Sequence, residues 1–202
     1  MEYQTLEALH HDLDRCRLCA EAHYDIQSQP VFSGRAAARL MLIGQAPGQE
    51  EVPTRKPFSG DAGKRLFRWL RRVGWTEEEF RERFYITSVT KCFPGKAEKG
   101  SGDRVPSAAE RDLCRPWMEW ELHLVQPEVI IPVGKLAINL FFPPDTKMDE
   151  VIGQRILDEA GRHIVPLPHP SGASRWHMDP RNVGYIDQAI WHLKRLRQEL
   201  GL

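Results

Sequence analysis

The chain has 202 residues, and its 28 Lys+Arg are balanced by 28 Asp+Glu, so the formal net charge is zero. This balance excludes a protein that coats nucleic acid through bulk positive charge. With 41% hydrophobic residues and six Trp, the chain is not an acidic disordered protein, and we expect one domain, 1–202, that buries about 70% of its unfolded surface.

Taken along the chain, the first predicted element is an N-terminal helix, where Leu6, Leu9 and Leu13 share one face. Four short apolar runs follow, and each ends at a loop that contains Gly or Pro. We predict strands at 39–43, 84–90, 129–133 and 163–167. Runs that are apolar throughout are typical of parallel strands covered on both faces by helices.

Helical patterns lie between and after these runs. One helix is expected to be capped by Asp61, a short one begins at Thr76, and Ser107 opens a third with a capping-box pattern. A last apolar stripe spans 186–196, and Pro94–Pro106 is predicted to be an inserted loop. The alternation predicts an α/β fold, a three-layer αβα sandwich with a central four-stranded, mainly parallel sheet.

The compartment in which the protein is found decides whether its four cysteines stay reduced and can form a metal site. No apolar run approaches the ~20 residues of a membrane helix, and the first residues do not show the basic start and apolar stretch that are typical of a signal peptide. We therefore expect no membrane contact and a cytoplasmic location, where thiols stay reduced. Cys16 and Cys19 form a CxxC pair, and Cys92 and Cys114 complete a set of four. Their spacing suits a tetrahedral zinc or a four-iron cluster, and buried free cysteines are the alternative.

Charge is unevenly distributed along the chain. Residues 52–75 contain seven Lys or Arg and one acidic residue, Asp61. Such a stretch is often only a solvated helix face. It follows the loop after the first predicted strand, and in open α/β sheets ligands bind at the carboxyl ends of strands. The stretch therefore lies beside a predicted ligand-binding loop.

Five motifs in one order resemble the uracil-DNA glycosylase superfamily, most closely its family four. Gly44–Glu51 and Pro57–Gly63 resemble its GEAPG…PFVGxAG signature. Tyr85–Cys92 is similar to its YITNVVKC segment, Pro127–Gly134 to the strand before its GxxA turn, and Pro168–Ser171 to its HPS motif. The four cysteines fall at the family's cluster-ligand positions. The resemblance covers nearly the whole chain, and some features are similar to family five.

The resemblance implies a monofunctional DNA repair glycosylase that hydrolyses the N-glycosidic bond of uracil, or of another deaminated base, and leaves an abasic site. It implies a [4Fe-4S] cluster, with zinc as the alternative, and DNA containing a damaged base as the partner of a monomeric protein. Two other functions remain open at this point. One is a non-catalytic binder of damaged DNA with the same fold, and the other is a zinc-stabilised hydrolase of small molecules.

The resemblance also assigns roles in binding the extruded base. Phe58 would stack on the base, and Ser88 would contact its edge where many relatives have Asn. A serine offers one donor–acceptor group in place of an amide pair. Gly44 and Pro47, from the first motif, complete the predicted base-binding set.

For the chemistry, the resemblance implies that His169 donates a hydrogen bond to the base O2 and stabilises the charge on the leaving base. Glu51 matches a conserved acid and could orient water. Gln45 stands where family four has Glu, and Ala46 stands where some relatives have an Asp that activates water. The same loop offers backbone N–H groups for water or for the base carbonyl.

DNA contacts are expected around the cleft. Phosphate contacts give affinity without reading sequence. The residues predicted to contact DNA are Lys56, Lys64, Arg65, Ser171 and Arg175. Arg175 or Trp176 could also wedge into the duplex behind the extruded base.

Overall fold

The computed structural model describes residues 2–27, 29–98, 102–172 and 174–202. Across these residues one sheet runs in the order β2-β1-β3-β5-β4. Its strands are β1 (Leu40–Gly44), β2 (Tyr85–Ser88), β3 (Val129–Pro132), β4 (Ile156–Leu157) and β5 (His163–Ile164). All neighbouring pairs are parallel except β4 with β5.

Helices cover both faces of this sheet. They are α1 (Leu6–Leu13), α2 (Leu18–Glu21), α3 (Glu51–Thr54), α4 (Asp61–Val73), α5 (Glu77–Arg83), α6 (Ala108–Val125), α7 (Lys135–Ile138), α8 (Met148–Val151) and α9 (Val183–Leu200). Two short 3-10 turns, Trp176–Met178 and Pro180–Asn182, precede α9. Among the described helices, none has the length and apolar character needed to cross a bilayer.

Side-chain alternation along β1 separates two cores. Leu40 and Leu42 pack with α4, α5 and α9 on one face, whereas Met41 and Ile43 pack with α1 and α6 on the other. Successive residues of a strand point to opposite faces, so a wholly apolar strand needs cover on both. The predicted three-layer αβα arrangement is confirmed.

The number of strands was predicted wrongly, because the described sheet has five strands and not four. The missed strand, β4, has only two residues and pairs antiparallel with β5 at the sheet edge. Its Leu157 is 63% exposed. A strand of two residues, one of them facing solvent, is too short to show as an apolar run in the sequence. A turn held by Asp158, whose side chain accepts from the backbone N–H groups of Ala160 and Arg162, brings the chain back.

Helix starts follow local capping rules with one correction. Thr76 accepts from the Glu79 N–H at 3.1 Å, and Ser107 opens α6 with a complete capping box. Asp61 does not cap α4, because Gly60 is the N-cap residue. Asp61 lies instead in the first turn, where a carboxylate interacts favourably with the helix dipole.

A buried ion pair joins β2 to α6. Lys91 and Glu121 are 1% and 0% exposed, and Lys91 Nζ lies 2.6 Å from Glu121 Oε2. The same ammonium donates to Thr87 Oγ1 at 2.9 Å and to the Ser88 carbonyl at 2.6 Å. Tyr85 donates its hydroxyl to Glu121 Oε1 at 3.1 Å. Each proton of the ammonium therefore has an acceptor, which is the condition for keeping a charge in a protein interior.

Replacing one partner of this pair should destabilise the protein strongly. We expect Lys91→Met or Glu121→Leu to lower the free energy of unfolding by about 3–5 kcal/mol, because each leaves a buried charge unpaired. The double variant should recover much of this loss. Guanidinium denaturation followed by Trp fluorescence measures all three, and single variants within about 1 kcal/mol of the parent would contradict the assignment.

Candidate functional site

A cleft of about 670 Å³ opens at the carboxyl ends of the central strands. Its walls are the loop after β1, the end of β2, the loop after β5, and the two paired arms of a hairpin, residues 95–98 and 102–104. Both halves of the first motif and the HPS motif contribute lining residues. The parallel sheet therefore brings together segments that are more than 100 residues apart in the sequence.

Phe58 forms one wall of the cleft in a constrained conformation. Its φ is +54°, in the left-handed region that non-glycine residues rarely adopt. Arg81 holds this turn by donating to the carbonyls of Pro57 at 2.7 Å and Phe58 at 3.1 Å. A Cβ at Gly63 would lie 1.7 Å from the Phe58 carbonyl oxygen, and a Cβ at Gly44 would lie 2.8 Å from the ring. Both glycines are therefore required for the position of Phe58.

Ser88 lies at the floor of the cleft, where β2 ends, and is 6% exposed. Its hydroxyl donates to the Thr90 carbonyl at 2.7 Å. The single hydroxyl proton is thereby used, so this oxygen presents lone pairs to a ligand. The Ser88 carbonyl accepts from Lys91 Nζ, so the residue is fixed through both its side chain and its backbone.

His169 lies in the cleft on the loop after β5, against Gly134, where an added Cβ would be 3.0 Å from the His169 Cβ. Its Nδ1 accepts from the Ser171 N–H at 3.3 Å and lies 2.9 Å from Ser171 Oγ. Burial lowers the pKa of His169, and the neighbouring His177 lowers it further. The ring is therefore neutral at pH 7, and because Nδ1 is an acceptor its proton is on Nε2.

Glu51 is half-buried at the edge of the cleft, in the first turn of α3. Burial raises its pKa to about 7, against opposing contributions from the backbone N–H groups of Gly48 and Phe58 and the charge of Arg81. The carboxyl group is thus a mixture of protonated and ionised forms at neutral pH. This shift is unusual for a glutamate and marks the cleft as a candidate functional site.

The remaining residues of the first motif line the same cleft. Gly44, Gln45, Ala46 and Pro47 all contribute to its wall. The chain beyond β2 holds this loop in place, since Val89 N–H donates to the Gly44 carbonyl at 3.0 Å and Thr90 N–H to the Gln45 carbonyl at 3.2 Å. The predicted catalytic and base-binding residues are therefore gathered around one opening.

The predicted DNA-contact residues differ in their surroundings. Ser171 lines the cleft, and Arg175 is exposed beside an adjoining groove. Lys56 and Lys64 are exposed outside the cleft lining and lie near Glu77 and Asp61, at 3.8 and 2.8 Å. Arg65 donates to the Pro170 carbonyl, between His169 and Ser171, so it supports the histidine loop. The role of these residues in DNA contact stays a prediction.

Sequence reasoning missed a charged group on the hairpin. Lys96, Asp103 and Arg104 line the cleft, and Lys96 Nζ lies 2.8 Å from Asp103 Oδ1. The sequence showed only a loop rich in Gly and Lys there. The approach of this loop to the cleft is a tertiary contact, so no local pattern could have revealed it.

All four cysteines line a second, small cavity, together with Leu13, Lys91, Leu113 and Trp117. The cavity lies between the α1–α2 turn, the segment after β2, and α6. Lys91 N–H donates to Cys114 Sγ at 3.3 Å. Burial raises the pKa of the Cys114 thiol to about 11 and also raises that of Cys92. Holding these groups as thiolates therefore requires a bound positive charge.

The arrangement of the four thiols limits what they could hold. Four thiolates around one zinc, at about 2.3 Å from the metal, lie within about 4 Å of one another. In the described part of the chain, no group of three or more His, Cys, Asp or Glu side chains is placed to hold a metal ion. The four cysteine thiols share one cavity, and thiolates are donors that suit either zinc or an iron–sulfur cluster.

Comparison with known proteins places this cleft in a family context. The family model described as the Uracil DNA glycosylase superfamily matches residues 31–200. The chain is 28% identical over 169 residues to a type-4 uracil-DNA glycosylase of Thermotoga maritima, covering 83% of this chain and 82% of that one.

Two further relatives match shorter parts of the chain. A type-4 uracil-DNA glycosylase of Archaeoglobus fulgidus is 30% identical over 139 residues, covering 69% of this chain and 64% of that one. A type-5 uracil-DNA glycosylase of Pyrobaculum aerophilum is 31% identical over 115 residues, covering 52% and 48%. The chain thus spans less than two thirds of the length of these two relatives.

A methyl group at Gly63 should displace Phe58. We expect Gly63→Ala to lower the free energy of unfolding by about 1–3 kcal/mol, because the new Cβ collides with backbone that cannot move freely. Gly184→Ala is the matched control, since Gly184 is also helical and a Cβ there meets nothing within 4 Å. The control should leave stability unchanged or raise it by up to about 1 kcal/mol in the same denaturation experiment. Equal effects of the two substitutions would contradict the contact.

Proposed function

Because the chain belongs to the uracil-DNA glycosylase superfamily, we propose that it hydrolyses the N-glycosidic bond of uracil, or of another deaminated base, in DNA. The observation that supports this most directly is a single cleft containing a stacking ring, a base-edge residue and a neutral histidine with its proton on Nε2. An enzyme that acts on a base within DNA must first extrude that base from the helix.

Phe58 provides the stacking surface for the extruded base. Its ring lies in the cleft wall, and the turn that carries it is fixed by Arg81 and by the close contact with Gly63. A ring already held in place can stack on a base without being ordered first. Ser88 Oγ accepts from an N–H on the base edge, since its own proton goes to Thr90. Uracil and hypoxanthine both present a ring N–H beside a carbonyl.

His169 stabilises the leaving group. Cleavage of the bond between the base and C1′ leaves the electron pair on the base, and negative charge develops on its carbonyl oxygen. A neutral histidine with its proton on Nε2 can donate a hydrogen bond to that oxygen as the negative charge develops. The Ser171 N–H and the support of the Pro170 carbonyl by Arg65 fix the ring for this task.

We also propose that Cys16, Cys19, Cys92 and Cys114 hold a [4Fe-4S] cluster. The chemistry of the donor set supports this, because four thiols, one of them buried and three half-buried, share one cavity and the Lys91 N–H is directed at one of their sulfurs. The cluster would cross-link the α1–α2 turn, the end of β2 and α6. Its role in this protein is therefore structural.

Base release is the direct test of the proposed activity. Labelled duplexes with uracil opposite A or G, or with hypoxanthine or xanthine, should acquire alkali-labile sites when incubated with the protein. His169→Ala should lower the excision rate by about 100-fold or more. His11→Ala is the control, because His11 is 63% exposed on α1, and its rate should match the parent. Tight binding of uracil duplexes without base release would instead indicate a non-catalytic binder of damaged DNA.

The presence of the cluster can be tested separately from base release, through the colour and the iron content of the protein. Protein purified without oxygen should be brown, with on the order of four iron and four sulfide per chain. Cys114→Ser should lose both the iron and the visible absorption and should unfold at lower temperature. Leu113→Ala changes the neighbouring cavity residue, which is not a ligand, and should retain iron. Colourless protein with stoichiometric zinc would contradict the cluster and favour the zinc alternative.

A further inference from the structure

The hairpin arms at residues 95–98 and 102–104 bring to the cleft a carboxylate, that of Asp103, which the steps above do not use. Lys96 and Asp103 face each other across the two arms in an antiparallel bridge. Backbone bonds close it, from Ala97 N–H to the Gly102 carbonyl and from Arg104 N–H to the Gly95 carbonyl, both at 3.0 Å. The described arms of this hairpin therefore hold Asp103 at a defined point of the cleft lining.

The base of the hairpin is anchored to α6. Arg104 donates to both carboxylate oxygens of Glu110, at 2.7 and 2.5 Å. Glu110 is 1% exposed and also accepts from the Ser107 N–H at 2.6 Å. The Arg104 guanidinium holds the pKa of Glu110 down at about 2. A paired, bidentate contact of this kind fixes geometry as well as charge, so the neighbouring Asp103 is positioned by a rigid support.

The Asp103 carboxylate lies against the first-motif loop. An added Cβ at Gly48 would be 3.2 Å from Asp103 Oδ2, while Oδ1 pairs with Lys96. Its charge acts on two catalytic candidates. It adds to the effect of burial that raises the pKa of Glu51, and it opposes the effect of burial that lowers the pKa of His169. Asp103, Glu51 and His169 therefore line the same cleft.

Two residues of the first-motif loop, Ala46 and Glu51, are less suited than Asp103 to accept a proton from the attacking water. Ala46 has no polar side chain to offer. Glu51 has a pKa of about 7, which suits a base, but its carboxylate accepts from the backbone N–H groups of Gly48 and Phe58, so fewer of its lone pairs are free for water. A general base needs an available lone pair within hydrogen-bond distance of the water. Asp103 Oδ2 offers such a lone pair in the cleft lining, since the ion pair with Lys96 is made by Oδ1.

We propose, building on the glycosylase function above, that Asp103 is the catalytic residue that orients and deprotonates the water. The bond between the base and C1′ breaks, and its electron pair leaves with the base, whose carbonyl oxygen is held by His169. The water oxygen bonds to C1′, and one water proton passes to the Asp103 carboxylate. The released base takes a proton from solvent, and Asp103 returns its own to solvent.

Single-turnover excision of uracil from a labelled duplex, with enzyme in excess, tests this assignment. Asp103→Asn should lower the rate by about 100-fold or more, as expected on removing a general base. Its affinity for a duplex with a tetrahydrofuran abasic site, measured by fluorescence anisotropy, should stay within threefold. Asp112→Asn is the matched control, since Asp112 also forms an exposed ion pair, with Arg115 on α6, and should excise at the parental rate.

The Lys96→Met variant distinguishes a catalytic role of the Asp103 carboxylate from an effect on the position of the hairpin. It removes the same ion pair but keeps the Asp103 carboxylate, so the rate should fall less than tenfold. An Asp103→Asn rate within threefold of the parent, or an equal loss in Lys96→Met, would overturn the assignment of Asp103 alone. A parent protein that releases no base from any duplex would contradict the glycosylase function, and the role of Asp103 would fall with it.

Discussion

The interior position of Lys91 is the constraint on which both cavities depend. Its side chain binds the Ser88 carbonyl and Glu121, and its backbone N–H binds Cys114. One residue thus connects the floor of the cleft, the helix α6 and the cysteine cavity. Because a buried ammonium is tolerated only while all its acceptors are present, β2 and α6 cannot move independently. The relative position of the two sites is therefore fixed by electrostatics as much as by apolar packing.

Much of the fold and of the site followed from local patterns. Strands β1 and β3 are buried apolar runs, and Ser107 and Thr76 cap their helices through contacts three residues away, so the sequence carries these features directly. The features it did not carry depend on tertiary contacts. Asp103 lies on a polar loop, and only the folded chain brings it to Gly48. The edge strand β4 is a two-residue segment whose pairing depends on a neighbouring turn.

Nearby carboxylates neutralise part of the positive charge of residues 52–75. The basic stretch 52–75 is not a row of unpaired cations. Arg55 pairs with Asp14, Lys64 with Asp61, and Arg72 with Asp187. A phosphate that approaches these cations must compete with a carboxylate already in place, which reduces the gain from neutralisation. Affinity for DNA would then depend more on the cleft than on the charge of α4.

The left-handed backbone at Phe58 has a consequence for how tightly the cleft can select its ligand. Strain of this kind costs on the order of 1–3 kcal/mol, and the remainder of the fold offsets it before any ligand arrives. The ring therefore loses little conformational entropy on contact, so most of its stacking energy remains available for affinity. The bonds from Arg81 and the close contact with Gly63 also oppose any shift of Phe58 that would widen the cleft for a poorly fitting ring. The shape of the cleft at Phe58 is thus set when the chain folds. It depends on Gly44 and Gly63, where a single added methyl group would collide with Phe58.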